Sequence, residues 1–371
     1  MQSQTNNPIF VVGSPRSGTS ILTWCLGQHP NIIPVEESGQ IGDLAVHLAM
    51  YYQIGAARGD YSLMSSMDVK QAEFFAAFGC AINDLILRHR VDLEKARWRR
   101  SAGAITPSDH FTPTYNAKTR WVDGTPEYSL YICGLRKLFP EALFLHIFRD
   151  VSSVVRSMLH FHPVRGESLV ANTQEAYRYW LNTVSSCLLA ERAYGRSVIF
   201  RLRYSDLVAK PDAALKAIFT FLGEPFAQEC LEPLAQRINS SNVPADFTID
   251  HSETDPSLVE QATRLSQQIE ESSQPLETSL QAIEELEDAF GKRVQFVAAL
   301  DSKYGMAQQV IAGLQEENQR ITTRAGRLSQ EVKKKRATIQ DLRARRERSK
   351  WLRSPLRALR EYLRRTRNRT L

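Results

Sequence analysis

The chain has 371 residues, of which 43% are hydrophobic, so it can form a large buried core and a further structural unit. Its net charge of +6 is unevenly distributed: residues 333–371 hold 16 Lys and Arg against three Asp and Glu, while residues 1–332 have a net charge of −7. The five cysteines are scattered and form no C-x-x-C pair, which argues against a disulfide scaffold and a structural zinc site.

The first predicted elements are a strand, a short loop and a helix. The apolar run Ile9–Val12 is typical of a buried parallel strand, and apolar residues at helical spacing follow Ser20. Between them, Gly13 and Gly18 have the spacing of the glycines in a phosphate-binding loop, and Ser20 stands at the position of its final hydroxyl. Backbone N–H groups and the helix N-terminus would hold an anion here. The alternative is an ordinary strand-to-helix turn.

The loop departs from the nucleoside-triphosphate pattern at one position. The pattern G-x-x-x-x-G-K-[ST] has a lysine that reaches the outer phosphates, but this chain has Thr19 there. The only cation in the loop is Arg16. We therefore predict that the loop binds a phosphate-like group without handling a γ-phosphate and magnesium. A cation at the loop apex suits the neutralisation of charge on a leaving 5′-phosphate.

The segment Pro15–Ser20, with the sequence PRSGTS, resembles the 5′-phosphosulfate loop of sulfotransferases, Pro-[Lys/Arg]-Ser-Gly-Thr-[Thr/Ser]. Enzymes of this family, among them protein-tyrosine and carbohydrate sulfotransferases, use 3′-phosphoadenosine 5′-phosphosulfate as the sulfate donor. The resemblance implies a metal-independent donor site. Its loop residues in this chain would be Ser14, Arg16, Ser17, Gly18, Thr19 and Ser20.

Two carboxylates follow the next predicted strand. Ile32–Val35 is a short apolar run that contains a proline, and Glu36 and Glu37 come directly after it. Ligands of open α/β sheets bind at the carboxyl ends of strands, and sulfuryl transfer to a hydroxyl needs a general base there. Protein-tyrosine sulfotransferases have their catalytic glutamate in a similar His-Pro…Glu-Glu segment, so the resemblance implies Glu37 as the base and Arg16 as the catalytic cation. The alternative is a pair of solvated loop acids.

Residues 40–100 are predicted to be mostly helical and to form the wall of the acceptor site. The following segment, Arg120–Pro126, is predicted as a strand that ends in a turn. Family members often have Lys-Thr-Pro or Lys-Ser-Pro here, with the lysine near the sulfonate, whereas this chain has Gly124. Either Arg16 acts alone, or an arginine from elsewhere replaces the lysine. Asp123 is expected either to bind an acceptor hydroxyl or to be a turn residue.

A second phosphate site is predicted after another buried strand. Arg149 follows the apolar run 143–148, and Ser157 lies two turns into the next helix. The resemblance implies that these two residues bind the 3′-phosphate of the donor, and bidentate guanidinium contacts suit a phosphate. The alternative is a helix-start Arg-Asp pair with a surface serine. Tyr204 resembles the family tyrosine that lies near the adenosine.

Together these elements predict an α/β domain over residues 1–249, with a P-loop-type parallel sheet flanked by helices, followed by a long C-terminal coiled-coil helix. Residues 250–282 are rich in Ser, Gln, Glu and Thr and are predicted as a linker or frayed helix. From Ile283 to Leu342 apolar residues recur at steps of three and four, with Asn318 at an a position. This predicts a parallel homodimeric coiled coil over 283–348. The alternative is a long helix folded back on the body.

The last segment, 349–371, has Trp351 and several leucines in an apolar stripe surrounded by arginines. A basic amphipathic helix with a tryptophan is typical of an anionic membrane surface and, less often, of a nucleic-acid patch. The N-terminal sequence has no signal peptide, and no apolar run reaches the ~20 residues of a spanning helix. We therefore expect a cytoplasmic, bacterial-type enzyme held peripherally at the inner membrane face.

The sequence favours transfer of a sulfuryl group to a hydroxyl of a glycan or lipid-linked saccharide. Tyrosine or small-molecule sulfation is the alternative for the acceptor. A second hypothesis is a non-catalytic scaffold. In it the α/β domain only binds a nucleotide, and the protein acts through its coiled coil and basic tail. The complete loop together with Arg149 and Ser157 favours the first hypothesis, whereas Gly124 leaves room for the second.

Overall fold

The computed structural model describes residues 7–101, 118–161, 168–235, 243–244, 246–272, 274 and 278–367. Within these ranges five parallel strands form one sheet in the order β2-β3-β1-β4-β5. The strands are β1 (Ile9–Val12), β2 (Ile32–Pro34), β3 (Arg120–Asp123), β4 (Leu143–Phe148) and β5 (Ile199–Arg203). The predicted parallel α/β sheet is confirmed.

Helices connect and follow the strands. They are α1 (Thr19–Gly27), α2 (Gln40–Ala56), α3 (Leu63–Ser66), α4 (Gln71–Arg88), α5 (Arg90–Ser101), α6 (Ile132–Leu138), α7 (Val151–Leu159), α8 (Thr173–Tyr194), α9 (Tyr204–Ala209), α10 (Pro211–Leu222), α11 (Pro256–Glu271) and α12 (Leu280–Arg367). Shorter 3₁₀ segments cover Gly59–Tyr61, Pro126–Leu130 and Gln228–Ala235. The helical prediction for residues 40–100 agrees with α2 to α5.

Both faces of the sheet are covered, which is why its central strand is apolar at every position. All four side chains of β1 are fully buried. Phe10 and Val12 pack into the cluster that includes α2, α4 and α6, whereas Ile9 and Val11 pack into the cluster of α1 and α10 on the other face. Alternate residues of a strand point to opposite faces, so one continuous apolar run supplies both cores.

Proline is tolerated in β2 because this strand lies at an edge of the sheet. Pro34 pairs with Val122 of β3 on one side only. A proline lacks the N–H that a central strand would have to donate to a second neighbour. The chain continues along β3 for one more residue, since the N–H of Val35 donates to the carbonyl of Val122 at 2.9 Å.

A buried polar network joins β4, α8 and β5. Glu191 accepts hydrogen bonds from His146 Nδ1 at 2.6 Å and from Arg201 Nε at 3.0 Å, and both His146 and Glu191 are fully buried. Burial alone disfavours the charged imidazole, but Cys187 and the Glu191 carboxylate outweigh it and raise the pKa of His146 to about 10. The pairing lets a carboxylate remain charged inside the core, where an unpaired one would be costly.

The chain divides into two compact units, Met1–Ala298 and Ala299–Leu371. The first unit therefore runs past the predicted boundary at residue 249. Within the stretch 250–282, predicted as a linker or frayed helix, the structure has α11, whose Ala262 and Ile269 are buried against α7 and α8. The polar composition of this stretch reflects the outer face of an amphipathic helix that covers the core.

The first turns of α12 also belong to the core of the first unit. Leu286, Phe290 and Val294 are buried there, and a Cβ at Gly134 of α6 would lie 2.7 Å from the Phe290 ring. Lys137 of α6 donates to Glu287 at 2.8 Å. The first turns of the predicted coiled coil therefore differ from the prediction, because Leu286 and Phe290 are buried in the core of the first unit.

Residues 299–367, the described part of the second unit, are helical throughout. The described side chains of this segment are exposed. They include the apolar row of the predicted coiled coil, from Leu300 to Leu342, with exposed fractions of 48–64% for its large members. The side chain of Trp351 lies outside the described residues. Within the described chain no helix combines the length and the apolarity needed to cross a bilayer.

Candidate active site

The predicted site residues lie at one edge of the sheet. The strands are all parallel, so their carboxyl ends meet at the same edge, where ligands of open α/β sheets bind. The loop at residues 13–20 follows β1, Glu37 follows β2, Asp123 ends β3, Arg149 follows β4 and Tyr204 follows β5. We call residues 13–20 the glycine loop.

The glycine loop has a backbone shape that its two glycines permit. Gly13 has a φ of 151°, and a Cβ there would lie 2.4 Å from the carbonyl oxygen of Ile147 in β4. Gly18 has a φ of 107°, and its Cβ would lie 2.6 Å from the Tyr204 ring. A side chain at either position would be strained and would push β4 or Tyr204 away from the loop.

The interior of the loop offers polar groups to a ligand. Ser14, Ser17 and Thr19 are buried. The Ser17 hydroxyl donates to the Ser14 carbonyl at 2.5 Å, while the Ser14 hydroxyl oxygen has no hydrogen-bond partner among the described residues. A buried hydroxyl without a partner costs free energy unless something binds it. The loop therefore fits a phosphate-bearing ligand, which would accept from this hydroxyl and from the N-terminal amides of α1.

Arg16 connects the glycine loop to the second predicted phosphate site. Its Nε donates to Ser157 Oγ at 3.2 Å, and its guanidinium stacks on Phe161 at 4.4 Å from the ring centroid. Burial and the nearby Arg149 cation lower the pKa of Arg16, while Glu37 opposes this. Two neighbouring cations at a partly buried edge favour the binding of an anion.

Arg149 is fixed against the same loop. Its Nη1 donates to the carbonyl of Arg16 at 3.1 Å, and its guanidinium lies 4.6 Å from the centroid of the Tyr204 ring. Tyr204 in turn packs against Gly18. The structure thus brings Arg149, Ser157 and Tyr204 together with the glycine loop.

Glu37 is the carboxylate that contacts the glycine loop. Its Oε1 accepts a hydrogen bond from Ser20 Oγ at 2.9 Å. Its side chain is solvent accessible but lies among dense neighbours, and this partial desolvation raises its pKa. The Ser20 hydrogen bond lowers the pKa, and the nearby carboxylates of Glu127, Asp123 and Glu36 raise it further. A raised pKa suits a group that must accept a proton near neutral pH.

The structure gives a physical reason for the missing lysine at position 124. A Cβ at Gly124 would lie 2.0 Å from Thr23 Oγ1, a buried hydroxyl that donates to the Thr19 carbonyl at 2.9 Å. A side chain there would have to displace the Thr23 hydroxyl and would press on the Thr23 Cβ at 3.1 Å. The cations that the described structure places at this edge beside the loop are Arg16 and Arg149.

Sequence reasoning missed the role of the turn after β3, residues 123–130, which we call the β3 turn. Ser129 Oγ accepts from the N–H of Gly13 at 2.8 Å and lies 2.9 Å from the Gly13 carbonyl oxygen. Thr125 Oγ1 accepts from the N–H of Ser38 at 3.2 Å. Burial raises the pKa of Asp123 to about 6, against hydrogen bonds from Thr125 that lower it. Ser129 and Thr125 lie 116 and 87 positions from Gly13 and Ser38 in the sequence, so no local pattern indicated these contacts.

Comparison with known proteins decides the family. The model of the sulfotransferase family matches residues 8–228, more than half of the chain. The chain belongs to the sulfotransferase family. It is an enzyme of the transferase class, and the family uses 3′-phosphoadenosine 5′-phosphosulfate as donor. Among the described residues no group of His, Cys, Asp and Glu has the arrangement of a metal site.

Three curated relatives show how far the similarity extends. A putative protein-tyrosine sulfotransferase of Caenorhabditis briggsae is 24% identical over 62% of this chain and 70% of its own. Protein-tyrosine sulfotransferase 2 of Gallus gallus is 27% identical over 58% of this chain and half of its own length. The omega-hydroxy-beta-dihydromenaquinone-9 sulfotransferase of Mycobacterium bovis is 30% identical over 26% of this chain and 27% of its own.

Two solved structures align with much of the chain at low sequence identity. The sulfotransferase domain of the Synechococcus PCC 7002 olefin synthase aligns over 78% of this chain and 97% of its own, with 20% identity and a TM-score of 0.37. The sulfotransferase domain of the curacin biosynthetic pathway aligns over 78% of this chain and 99% of its own, with 18% identity and a TM-score of 0.37.

The position of Arg149 gives the first prediction. Arg149→Ala should weaken binding of 3′-phosphoadenosine 5′-phosphate by about 1.5–3 kcal/mol, the worth of a charge-assisted contact, while leaving binding of adenosine 5′-phosphate nearly unchanged. Isothermal titration calorimetry measures both. Arg178→Ala, which removes an exposed arginine of α8, is the matched control and should affect neither nucleotide. An equal loss of affinity for both nucleotides in Arg149→Ala would show that Arg149 does not bind the 3′-phosphate.

Proposed function

We propose that the protein transfers the sulfuryl group of 3′-phosphoadenosine 5′-phosphosulfate to a hydroxyl of a glycan or lipid-linked saccharide. The observation that supports this most is the hydrogen bond from Ser20 to Glu37. It joins a carboxylate with a raised pKa to the loop that carries Arg16. An acceptor hydroxyl beside Glu37 would therefore stand next to the sulfur of a donor held by the loop.

The proposed reaction is an in-line displacement. Glu37 takes the proton of the acceptor hydroxyl as the acceptor oxygen forms its bond to sulfur. The bond between sulfur and the bridging oxygen of the 5′-phosphate breaks, and its electron pair stays on the phosphate. Arg16 and the amides of the glycine loop stabilise that growing charge. Arg149 and Ser157 orient the donor through its 3′-phosphate. Tyr204 lies near the adenosine of the bound donor.

The saccharide acceptor is proposed because of the basic C-terminal segment. Residues 333–371 have a net charge of +13, and lipid-linked glycans are found at the anionic membrane surfaces that such segments bind. The names of the relatives point to tyrosine and to a menaquinone derivative as other hydroxyl acceptors. Transfer of ³⁵S-sulfate to octyl β-D-glucopyranoside, a tyrosine peptide and 1-octanol separates the saccharide, phenolic and aliphatic hydroxyl classes. Nucleotide binding without transfer to any acceptor would favour the scaffold alternative.

Glu37 gives the prediction that tests the chemistry. Glu37→Gln should lower turnover by ~10²–10⁴ with nucleotide affinity retained, because the amide keeps the shape but cannot take a proton. Activity of the wild type should fall as pH drops through the raised pKa of Glu37, since only the carboxylate is competent. Glu36→Gln is the matched control and should keep turnover. If Glu37→Gln retains turnover and Glu36→Gln loses it, the general base is Glu36 and the assignment to Glu37 is wrong.

We also propose that the protein forms a parallel homodimer through residues 300–342 of α12, the exposed seam. Three of its large apolar side chains, Leu314, Ile321 and Leu328, stand at steps of seven and are 53–60% exposed. Such a row is stabilised by burial against a second helix. In the parallel register Asn318 meets its own copy at an a position, and Glu331 faces Arg336 of the second copy across the e and g positions.

The seam predicts a specific pair of variants. Leu314→Gln with Ile321→Gln should convert the dimer to a monomer in sedimentation velocity, because both buried contacts are lost. Glu316→Gln with Thr323→Gln, on the opposite face of the same turns, should remain dimeric. Asn318→Cys should form a disulfide-linked dimer under oxidation only if the helices are parallel and in register. A wild-type chain that sediments as a monomer at micromolar concentration would end this proposal.

The basic tail is proposed to bind an anionic membrane surface. The apolar side chains of Leu356, Leu359 and Leu363 are exposed at 56–62% among arginines. Basic residues near such a surface contribute about 1 kcal/mol each, and the leucines add burial at the headgroup boundary. Dimerisation would place two tails side by side and lengthen residence on the membrane.

Truncation tests the tail. The full chain should co-sediment with vesicles containing phosphatidylserine, and a chain that ends at Val332 should not, because Lys333 and all later basic residues are removed while most of the seam remains. Vesicles of phosphatidylcholine alone are the matched control and should retain little of either form. Equal sedimentation of both forms on anionic vesicles would eliminate the membrane proposal.

A further inference from the structure

The segment that carries Glu37 is anchored at one end to β3 and at the other end to the β3 turn. On one side the N–H of Val35 donates to the carbonyl of Val122 in β3 at 2.9 Å. On the other side the N–H of Ser38 donates to Thr125 Oγ1 at 3.2 Å. Glu36 and Glu37 lie between these two anchors. The backbone of Glu37 is therefore held by β3 and its turn, while its side chain is held by Ser20.

Thr125 is itself oriented by Asp123. The Asp123 Oδ1 atom accepts from the N–H of Thr125 at 2.9 Å and from its hydroxyl at 2.6 Å. Both residues are buried, with exposed fractions of 1% and 3%. Because the single hydroxyl proton of Thr125 points to Asp123, its oxygen lone pairs are available to the N–H of Ser38. The chain Asp123–Thr125–Ser38 is a directed hydrogen-bond relay in which each bond polarises the next.

Resting on the proposed function of Glu37, we propose that Asp123 and Thr125 are positioning residues, which hold Glu37 at the distance from the glycine loop that proton transfer requires. The β3 turn reaches both sides of the site, because Ser129 in the same turn binds the backbone of Gly13. One rigid segment therefore sets the separation between the carboxylate and the loop. Displacement of a reacting group by about 1 Å can cost 10²-fold in rate.

The test uses the full chain and the isosteric change Thr125→Val, which removes the acceptor for Ser38 while keeping the volume. Turnover with octyl β-D-glucopyranoside or the best acceptor of the panel should fall about 10- to 100-fold. The Kd of 3′-phosphoadenosine 5′-phosphate should change less than about twofold, since the loop is untouched. Thr125→Ser keeps the hydroxyl and should recover most of the turnover. Asp123→Asn, whose neutral oxygen is a weaker acceptor, should show a smaller loss in turnover.

A double-mutant comparison separates positioning from general damage. In the Glu37→Gln background Thr125→Val should cause no further loss of turnover, because the group it positions is already removed. The same fold-loss in both backgrounds, or a nucleotide Kd that rises as turnover falls, would overturn the proposal. Full turnover in Thr125→Val would overturn it as well.

Amide hydrogen exchange provides a readout that does not depend on the acceptor. Thr125→Val should accelerate exchange over residues 35–41 by about 2- to 10-fold, the effect of losing one hydrogen bond, while exchange over α1 stays unchanged. Unchanged exchange over 35–41 would show that Thr125 is no anchor, whatever the activity. A wild type that transfers sulfate to no acceptor would instead count against the proposed function, and the exchange result would still decide whether the anchor exists.

Discussion

The close approach of Gly13 to β4 is the constraint on which the site depends. The backbone of Gly13 lies so near the Ile147 carbonyl that a Cβ would be 2.4 Å from that oxygen. This contact allows the chain to leave β1, turn sharply and present the first amides of α1 at the sheet edge. Ser129 then takes the N–H of Gly13, so the polar backbone of this tight turn is satisfied inside the protein. The positions of Arg16 and Ser20 follow from that turn, and the carbonyl of Arg16 accepts a hydrogen bond from Arg149.

Opposite charges in the loops after different strands affect one another's pKa at the site. Arg149 lowers the pKa of Arg16, and Glu37 counteracts this effect. Glu37 in turn has its pKa raised by desolvation. An anionic donor bound beside the two arginines would favour their charged forms and would raise the proton affinity of Glu37. Anion binding beside the two arginines and the protonation of Glu37 would thus be coupled.

Much of the fold could be predicted because its signals are local. The run Ile9–Val12 with the glycine loop defined β1 and α1, and the resemblance to the sulfotransferase family pointed to Arg149 and Ser157 on a strand end and the helix after it. The β3 turn was different, because Thr125 acts on Ser38 and Ser129 acts on Gly13, and no pattern within the turn indicates either partner. The start of α12 also escaped prediction, since a heptad repeat cannot distinguish a second copy from the chain's own core as the partner of Leu286 and Phe290.

The docking of α12 also affects how the protein can be made. Phe290 packs in the same core cluster as Phe10, although the two residues are 280 positions apart in the chain. Contacts this distant are slow to form, and the core around β1 stays incomplete during synthesis until α12 has left the ribosome. Until then the apolar surfaces of α2 and α6 that Phe290 covers are exposed to water. We therefore expect synthesis rate and chaperone supply to affect the yield of this enzyme.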